Sequence, residues 1–155
     1  MGAVTPAAFP VAGTVLTAAE YNKLPRGVVY FNLVTANQTG ISTVVDITNM
    51  TAATWTATST RTYRTVIYLP YCQQKTSGGI VVARITDASN VDKQQWNGTF
   101  AASDYFAVAM QVIETGLSGS ITRKGRISTS AGTVDLTQAA TAPGFIMVED
   151  IGASA

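Results

Sequence analysis

The chain has 155 residues, a net charge of +1, one cysteine and no histidine. Its length suits a single domain, and the lack of histidine removes the side chain that most general-base and nucleophilic chemistry recruits near neutral pH. Near-neutral charge argues against nucleic acid as a partner, and no apolar run approaches the roughly 20 residues that span a bilayer. We therefore predict a non-enzymatic protein that needs no cofactor and binds neither nucleic acid nor a membrane.

Charged residues make up 12% of the chain, about half of the roughly 25% that soluble domains contain. Two interpretations fit this low charge content. Neighbouring subunits cover part of the surface, or a surface rich in Thr, Ser and Asn stays soluble without charge. Composition alone does not choose between them.

Residues 1–26 predict an extended N-terminal arm. Pro6 and Pro10 break regular structure, and Thr17 with Glu20 matches a capping box that supports one or two helical turns before Pro25. Extended arms either lie on another surface or remain disordered. The opening has no basic region of a secretory signal, which predicts synthesis in a cytoplasm.

Residues 27–155 predict an all-β domain, an antiparallel β-sandwich that is jelly-roll-like and has about eight strands. Apolar and β-branched runs alternate there with Gly, Asn, Ser and Asp. The predicted strands are Val28–Thr35, Ile41–Asn49, Thr54–Leu69, Gly79–Thr86, Tyr105–Glu114, Ser118–Thr129, Thr133–Gln138 and Phe145–Glu149. Asn90–Thr99, with its turn-favouring Asn97-Gly98 pair, is predicted to be a loop.

The clearest local signal is the run from Thr54 to Tyr63, in which threonines take every even position. A two-residue period is that of a β-strand, and it places the threonine hydroxyls on one face. The run predicts one long strand that continues to Leu69.

Two predicted strands, Val28–Phe31 and Tyr105–Ile113, are apolar on both faces. One face of such a strand packs on the core, and the other needs a cover. The cover is either a loop of the same chain or a subunit interface. Both interpretations stay open at this stage.

Residues capable of chemistry are few and scattered. Cys72 has no second thiol or histidine to join it, so we expect a buried apolar cysteine. The carboxylates show no specific pairing, and a paired-carboxylate hydrolase is the weakest interpretation. Asp87, Asn90 and Asp92 have oxygen atoms that Ca²⁺ accepts, but their spacing is not that of an EF-hand, and we predict no metal site.

Trp55 and Trp96 are candidate glycan contacts, since sugar rings pack on exposed aromatic faces. Trp96 is the stronger candidate because it lies in a polar segment. The competing interpretation is favoured: a tryptophan in such a segment folds back and caps the sandwich.

The opening and closing segments resemble known proteins. Gly13-Thr14-Val15-Leu16-Thr17-Ala18-Ala19-Glu20-Tyr21-Asn22-Lys23-Leu24-Pro25-Arg26-Gly27-Val28-Val29 looks like the start of small virion proteins of tailed bacteriophages, particularly those that infect actinobacteria. Ala142-Pro143-Gly144-Phe145-Ile146-Met147-Val148-Glu149-Asp150-Ile151-Gly152 resembles the closing strand of the same group. The Arg61-Thr62-Tyr63-Arg64 strand fits its middle less distinctively.

The resemblance implies a β-sandwich body that assembles symmetrically, as a head fibre, a head decoration protein or a minor tail protein. We expect a capsid decoration protein in the virion, with copies of itself, as a homotrimer, and the major capsid protein or other virion proteins as partners. A minor tail protein that recognises host glycans is the alternative. The expected assembly interface comprises Phe9, Val11, Val15, Leu16, Tyr21, Leu24, Phe106, Val108, Phe145, Met147 and Ile151.

Overall fold

A computed structural model describes residues 23–154, so most of the predicted arm, including the capping box at Thr17, lies outside the described residues. Eleven β-strands occupy the described range, and it contains no helix. The strands are β1 (Gly27–Val34), β2 (Gln38–Ile41), β3 (Val45–Asp46), β4 (Ala53–Ala57), β5 (Arg61–Gln74), β6 (Gly79–Asp87), β7 (Asp92–Phe100), β8 (Tyr105–Thr115), β9 (Gly119–Thr129), β10 (Val134–Leu136) and β11 (Gly144–Ala153).

The strands form two antiparallel sheets that pack face to face. In sheet A the order of the long strands is β1-β11-β5-β8, and the short β10 and β2 extend the far end of β5. In sheet B the order is β4-β9-β6-β7, with β3 beside the other end of β9. Eight strands have five or more residues. When only these are numbered 1 to 8 in chain order, their order is 1-8-3-6 in sheet A and 2-7-4-5 in sheet B. This order is that of a jelly roll, and the predicted fold class is confirmed.

The threonine-rich run is one strand in the prediction but two in the structure. β4 belongs to sheet B and β5 to sheet A, and the chain crosses between the sheets at Thr58–Thr60. The turn is closed by the Arg61 amide, which donates to the Thr58 carbonyl at 2.9 Å, and by the Thr58 amide, which donates to the Tyr63 hydroxyl at 3.0 Å. The two-residue pattern of burial is interrupted at the turn, where Thr58, Ser59 and Thr60 are all exposed, and it resumes in the same phase, since Trp55, Ala57 and Tyr63 are buried.

The prediction of a loop at Asn90–Thr99 is wrong from Asp92 onward, because Asp92–Thr99 lies in β7, which pairs with β6 over its length. Asn97 and Gly98 lie within the strand and make no turn. A Cβ on Gly98 would lie 2.5 Å from the Phe100 ring and 2.8 Å from the Trp96 ring. Glycine is therefore needed here for ring packing.

The predicted strand Ile41–Asn49 also differs. β2 ends at Ile41, β3 is two residues long, and Asn49 has a positive φ of 66° that ends regular pairing. The chain then folds inward: the Ile47 amide donates to the Gly125 carbonyl, the Gly125 amide donates to the Met50 carbonyl, and both Ile47 and Met50 are buried. This segment closes one side of the core.

The core lies between the sheets. Its largest fully buried apolar side chains are Ile47, Met50, Ile67, Leu69, Ile85, Ile127, Leu136 and Ile146. One buried and one partly buried ion pair accompany them. Arg61 and Asp150 pair within sheet A, with Arg61 Nη2 2.5 Å from Asp150 Oδ1. Arg123 of sheet B pairs with Glu114 of sheet A, with Arg123 Nη2 2.6 Å from Glu114 Oε1.

The chain enters the body beside the end of β11. The Arg26 amide donates to the Asp150 carbonyl at 3.1 Å, the Ala153 amide donates to the Lys23 carbonyl at 3.3 Å, and the Arg61 guanidinium donates to the Leu24 carbonyl at 2.7 Å. The arm and the closing strand therefore meet at one corner of sheet A.

Candidate assembly surface

The side of sheet A that points away from sheet B is called here the outer face. Strand registers place one side chain from each of β1, β11, β5 and β8 in line across it. The first row is Leu33, Phe145, Tyr68 and Ala109, and the second is Phe31, Met147, Val66 and Gln111. Seven of these eight side chains are apolar or aromatic, so the outer face is an apolar surface on a four-stranded sheet.

The aromatic rings on the outer face contact one another. Phe145 lies between Phe31, with ring centroids 5.9 Å apart, and Tyr68, at 5.7 Å. Phe31 is 52% exposed and Leu33 is 41% exposed. With strands about 4.8 Å apart and about 3.3 Å per residue, the patch covers roughly 300 Å² in projection. That size reaches the range in which an apolar patch on a soluble protein is commonly functional.

A third row adds the only charges on this patch. Glu149 of β11 stands beside Arg64 of β5, which in turn stands beside Ile113 of β8, 55% exposed. Arg64 Nε donates to a Glu149 carboxylate oxygen at 2.7 Å. Because the two charges cancel, the outer face has no net charge, and it does not repel an identical copy of itself.

The structure separates the residues that were expected to form the assembly interface. Phe145 and Met147 lie on the outer face, and Ile151 follows them on the same side of β11. Phe106 and Val108 point inward, with Val108 fully buried in the core and Phe106 packed against it. Leu24 is exposed at the corner where the chain enters the body. The remaining positions, Phe9, Val11, Val15, Leu16 and Tyr21, lie outside the described residues.

The two strands predicted to be apolar on both faces, β1 and β8, each have one exposed face. In β8, Val108 and Met110 are buried while Tyr105, Ala107 and Ala109 are exposed. In β1, Val28, Val29 and Phe31 are exposed. No loop in the described part of the chain buries these outward side chains, so the covering loop is not found within residues 23–154.

The two tryptophans occupy different environments. Trp55 is 6% exposed, packs on Tyr63 with centroids 5.7 Å apart and lies under the Arg123 guanidinium at 5.9 Å. Trp96 is half-buried and packs beside Phe100 and Phe106, with near-parallel rings at 6.1 Å from each. Trp96 therefore caps the open edge of the sandwich, while Trp55 belongs to the core.

The described carboxylates have partners. Seven of the eight pair with a Lys or Arg side chain, and the eighth, Asp104, accepts from the Ala101 amide at 2.7 Å. Asp87 accepts from the Ser89 and Val91 amides. The bond from Val91 and the neighbouring Lys93 hold the pKa of Asp87 below its ordinary value. Asn90 accepts from Lys124 and Asp92 pairs with Arg84, so these three residues do not converge on a cation.

Within residues 23–154, no group of three or more Cys, Asp or Glu residues is placed to hold a metal ion. The same residues include no helix that is long and apolar enough to cross a membrane.

Comparison with protein-family models finds no match, and comparison with curated proteins finds none either. Among solved structures, the chain is similar to a structure of the infectious bursal disease virus Gx strain (13% identity, TM-score 0.45, covering 96% of this chain and 43% of that one). It is also similar to the VP2 protein of infectious bursal disease virus (11%, 0.45, 96% and 42%). An arabinose-bound α-L-arabinofuranosidase is similar at 8% identity and a TM-score of 0.36, with 89% and 26% covered.

The chain thus spans less than half the length of these solved chains. At such identities and TM-scores the similarity carries no argument about function, and the outer face has to be interpreted from its own residues.

Several residues of the outer face were not among the predicted interface positions. Leu33, Val66 and Tyr68 lie in strands that the sequence pattern predicts, and Phe31 lies in a run that is apolar on both faces of its predicted strand. Period-two patterning assigns each residue to one of two faces, but it does not say which strands are neighbours. Register information was therefore needed to find the patch.

Proposed function

We propose that this protein is a non-enzymatic structural component of a bacteriophage virion, which attaches to the capsid surface as a homo-oligomer and stabilises it. The observation that carries the proposal is the exposed apolar outer face of sheet A. The resemblance of residues 13–29 and 142–152 to small virion proteins of tailed phages supports the virion as its location. The resemblance includes both head and tail proteins; capsid decoration is favoured because few charges, doubly apolar strands and a predicted extended arm suit a multimeric shell component.

The physical reason for assembly is the cost of leaving this face in water. Burying apolar surface stabilises by about 25 cal/mol per Å², and Phe31, Leu33 and Ile113 are all more than 40% exposed. A patch of this size is smaller than the roughly 800 Å² per partner of a stable interface. Contacts of residues 1–22 with a neighbouring subunit or capsid protein would add the missing area, and many repeated copies raise the overall avidity.

The partners proposed are further copies of the chain, as a homotrimer, and the major capsid protein or another virion protein. Phe145, Met147 and Ile151 would contribute from the closing strand, and Leu24 from the corner where the arm leaves. Phe9, Val11, Val15, Leu16 and Tyr21 remain proposed contacts of the arm.

A pair of substitutions on the outer face tests the proposal. Phe31→Glu with Met147→Glu places two like charges in one row, and we expect the oligomer to become a monomer and particle binding to fall at least tenfold. Thr56→Glu is the matched control, since Thr56 is exposed on a strand of sheet B. The readouts are sedimentation velocity and co-sedimentation with particles. An unchanged oligomer in the double variant, with particle binding intact, would rule out the outer face as the interface.

The arm is tested separately by deleting residues 1–22, which leaves the Lys23 and Leu24 carbonyls in place for their bonds to Ala153 and Arg61. We expect an unchanged circular-dichroism melting curve together with loss of particle binding. Immunolabelling of intact particles then separates head from tail: label over the whole head supports decoration, and label confined to the tail end contradicts it.

A further inference from the structure

We propose that a cleft between the edges of β7 and β8 binds a neutral saccharide. This inference goes beyond the proposed structural role. The cleft lies at the β8 border of the outer face and shares Val66, Ala109 and Gln111 with it, so it requires that a neighbouring subunit leave this border open. It rests on the shape of the cleft, a rigid aromatic platform beside it, and amide side chains in its wall that lack partners.

The cleft exists because β7 and β8 lie in different sheets. Residues 101–104 join the two strands, and within the described residues β7 pairs only with β6 and β8 only with β5. Away from the joining turn the two edges separate, and they leave a cleft of about 580 Å³. This volume lies within the ~300–1,000 Å³ that small-molecule sites occupy.

Trp96 lines the cleft, and its orientation is fixed from behind. Phe100 and Phe106 stack on each other at 4.1 Å, and both lie nearly parallel to the Trp96 ring. Gly98 allows this packing, because any side chain there would collide with the rings. An immobilised indole loses little conformational entropy on binding, which favours stacking of a sugar ring.

Most polar side-chain groups in the cleft have no partner among the described residues. No hydrogen-bond partner within residues 23–154 is found for the side chains of Gln94 and Gln111 or for Nε1 of Trp96, whereas Gln95 donates to Asn97 at 2.9 Å. That bond holds the Gln95 amide in place and leaves its oxygen as an acceptor. Amides both donate and accept, as sugar hydroxyls do, so Gln94, Gln95 and Gln111 match the chemistry of a polyol.

The cleft favours a ligand without charge. None of the described side chains that line it is ionised, and Val66 and Met110 supply apolar contact. An extended peptide that pairs with the free edge of β8 would use backbone groups of the strand and would leave the three glutamine amides without a role. For this reason a saccharide is the occupant that the lining fits.

The test uses the full chain and two kinds of readout. Neutral hexasaccharides of glucose, mannose, galactose and xylose are titrated against the protein, with hexagalacturonate as the charged comparison. We expect saturable tryptophan quenching by at least one neutral sugar, and little by hexagalacturonate. Because Trp55 is buried under Arg123, the quenching reports on Trp96, and it should disappear in Trp96→Phe.

Calorimetry on Gln94→Ala and Gln111→Ala completes the test without altering the aromatic stack. Each variant should weaken binding of the same sugar about tenfold, while Gln73→Ala, an amide on β5 away from the cleft, should leave the dissociation constant unchanged. A decapeptide of alternating Thr and Val, which would pair with the free edge of β8, is titrated as the competing ligand. Three outcomes overturn the proposal: no saturable binding of any neutral sugar at millimolar concentration, equal affinity in the glutamine variants, or binding of the decapeptide alone. Oligomerisation and particle binding are measured separately, so failure here leaves the proposed function untouched.

Discussion

At the scale of single residues, the fold makes Cys72 inert. Its side chain is 1% exposed, and burial raises the pKa of the thiol to about 12. The thiolate is the reactive form, so the folded protein presents neither access nor nucleophile at ordinary pH.

We expect a thiol reagent such as Ellman's reagent to leave the native protein unlabelled at pH 8 and to label one thiol in urea. The raised pKa also predicts a pH dependence of stability. The contribution of the protonated thiol is complete below the unfolded pKa of about 8.5 and is lost as the pH rises toward 12. Rapid labelling of the native protein at pH 8 would contradict the buried position.

The Arg61–Asp150 ion pair is the second feature at this scale. Both side chains are nearly fully buried, and Asp150 also accepts from the Gly152 amide at 3.1 Å. Asp150 accepts two charge-assisted hydrogen bonds from the Arg61 guanidinium, and such bonds contribute about 1.5–3 kcal/mol each.

Asp150→Asn is therefore expected to lower the free energy of unfolding by about 3 kcal/mol or more, measured by urea denaturation. Glu149→Gln is the matched control one residue away on the opposite face. Its partner Arg64 is 39% exposed, so we expect a loss of less than about 1 kcal/mol. Equal losses in the two variants would show that burial does not decide the effect.

At the scale of elements, β9 packs closely against the segment around Met50, which closes one side of the core. A Cβ on Gly125 would lie 2.7 Å from Met50 Sδ and 3.0 Å from Ile67 Cδ1. Met50 is fully buried, so it has little room to move away.

Gly125→Ala should destabilise the protein by about 1–3 kcal/mol through overpacking, measured by thermal and urea unfolding. Adding Met50→Ala removes the sulfur that the new methyl meets, so the double variant should lose less than the sum of the two single losses. Additive losses would indicate that Gly125 is needed for a reason other than this contact.

At the scale of the whole molecule, Glu114 and Arg123 tie the two sheets together. Arg123 donates to both Glu114 carboxylate oxygens, at 2.8 and 2.6 Å, and its guanidinium lies over the Trp55 ring. The pair thus closes one end of the sandwich and covers the core beneath it.

Glu114→Gln keeps the size of the side chain but removes the charge, so it should lower the free energy of unfolding by about 1–3 kcal/mol. The near-ultraviolet circular dichroism of Trp55 should change with it, because the ring would lose a fixed neighbour. A variant with unchanged stability and unchanged spectrum would mean that packing between the sheets suffices without the ion pair.

The sequence by itself determined the fold class and the strand faces. Alternation in the run from Thr54 to Tyr63 correctly predicts the inward positions on either side of the turn, Trp55, Ala57 and Tyr63, but not the exposed Ser59 within it. The strands at Gly79, Tyr105 and Gly119 begin within one residue of their predicted starts, because turn residues bound them. Local chemistry was sufficient for these features.

Tertiary structure decided the rest, because it depends on which strands are neighbours. Thr58–Thr60 becomes a crossing between sheets, where the Thr60 carbonyl accepts from the distant Ser154 amide, and Asn97-Gly98 stays in a strand, where it pairs with Val82 and Val81 of β6. The outer face joins Phe31 and Phe145, which are 114 positions apart, and only the antiparallel register brings their rings together. A period of two residues fixes the side of a sheet on which a residue lies, while the pairing of strands depends on the packing of the whole chain.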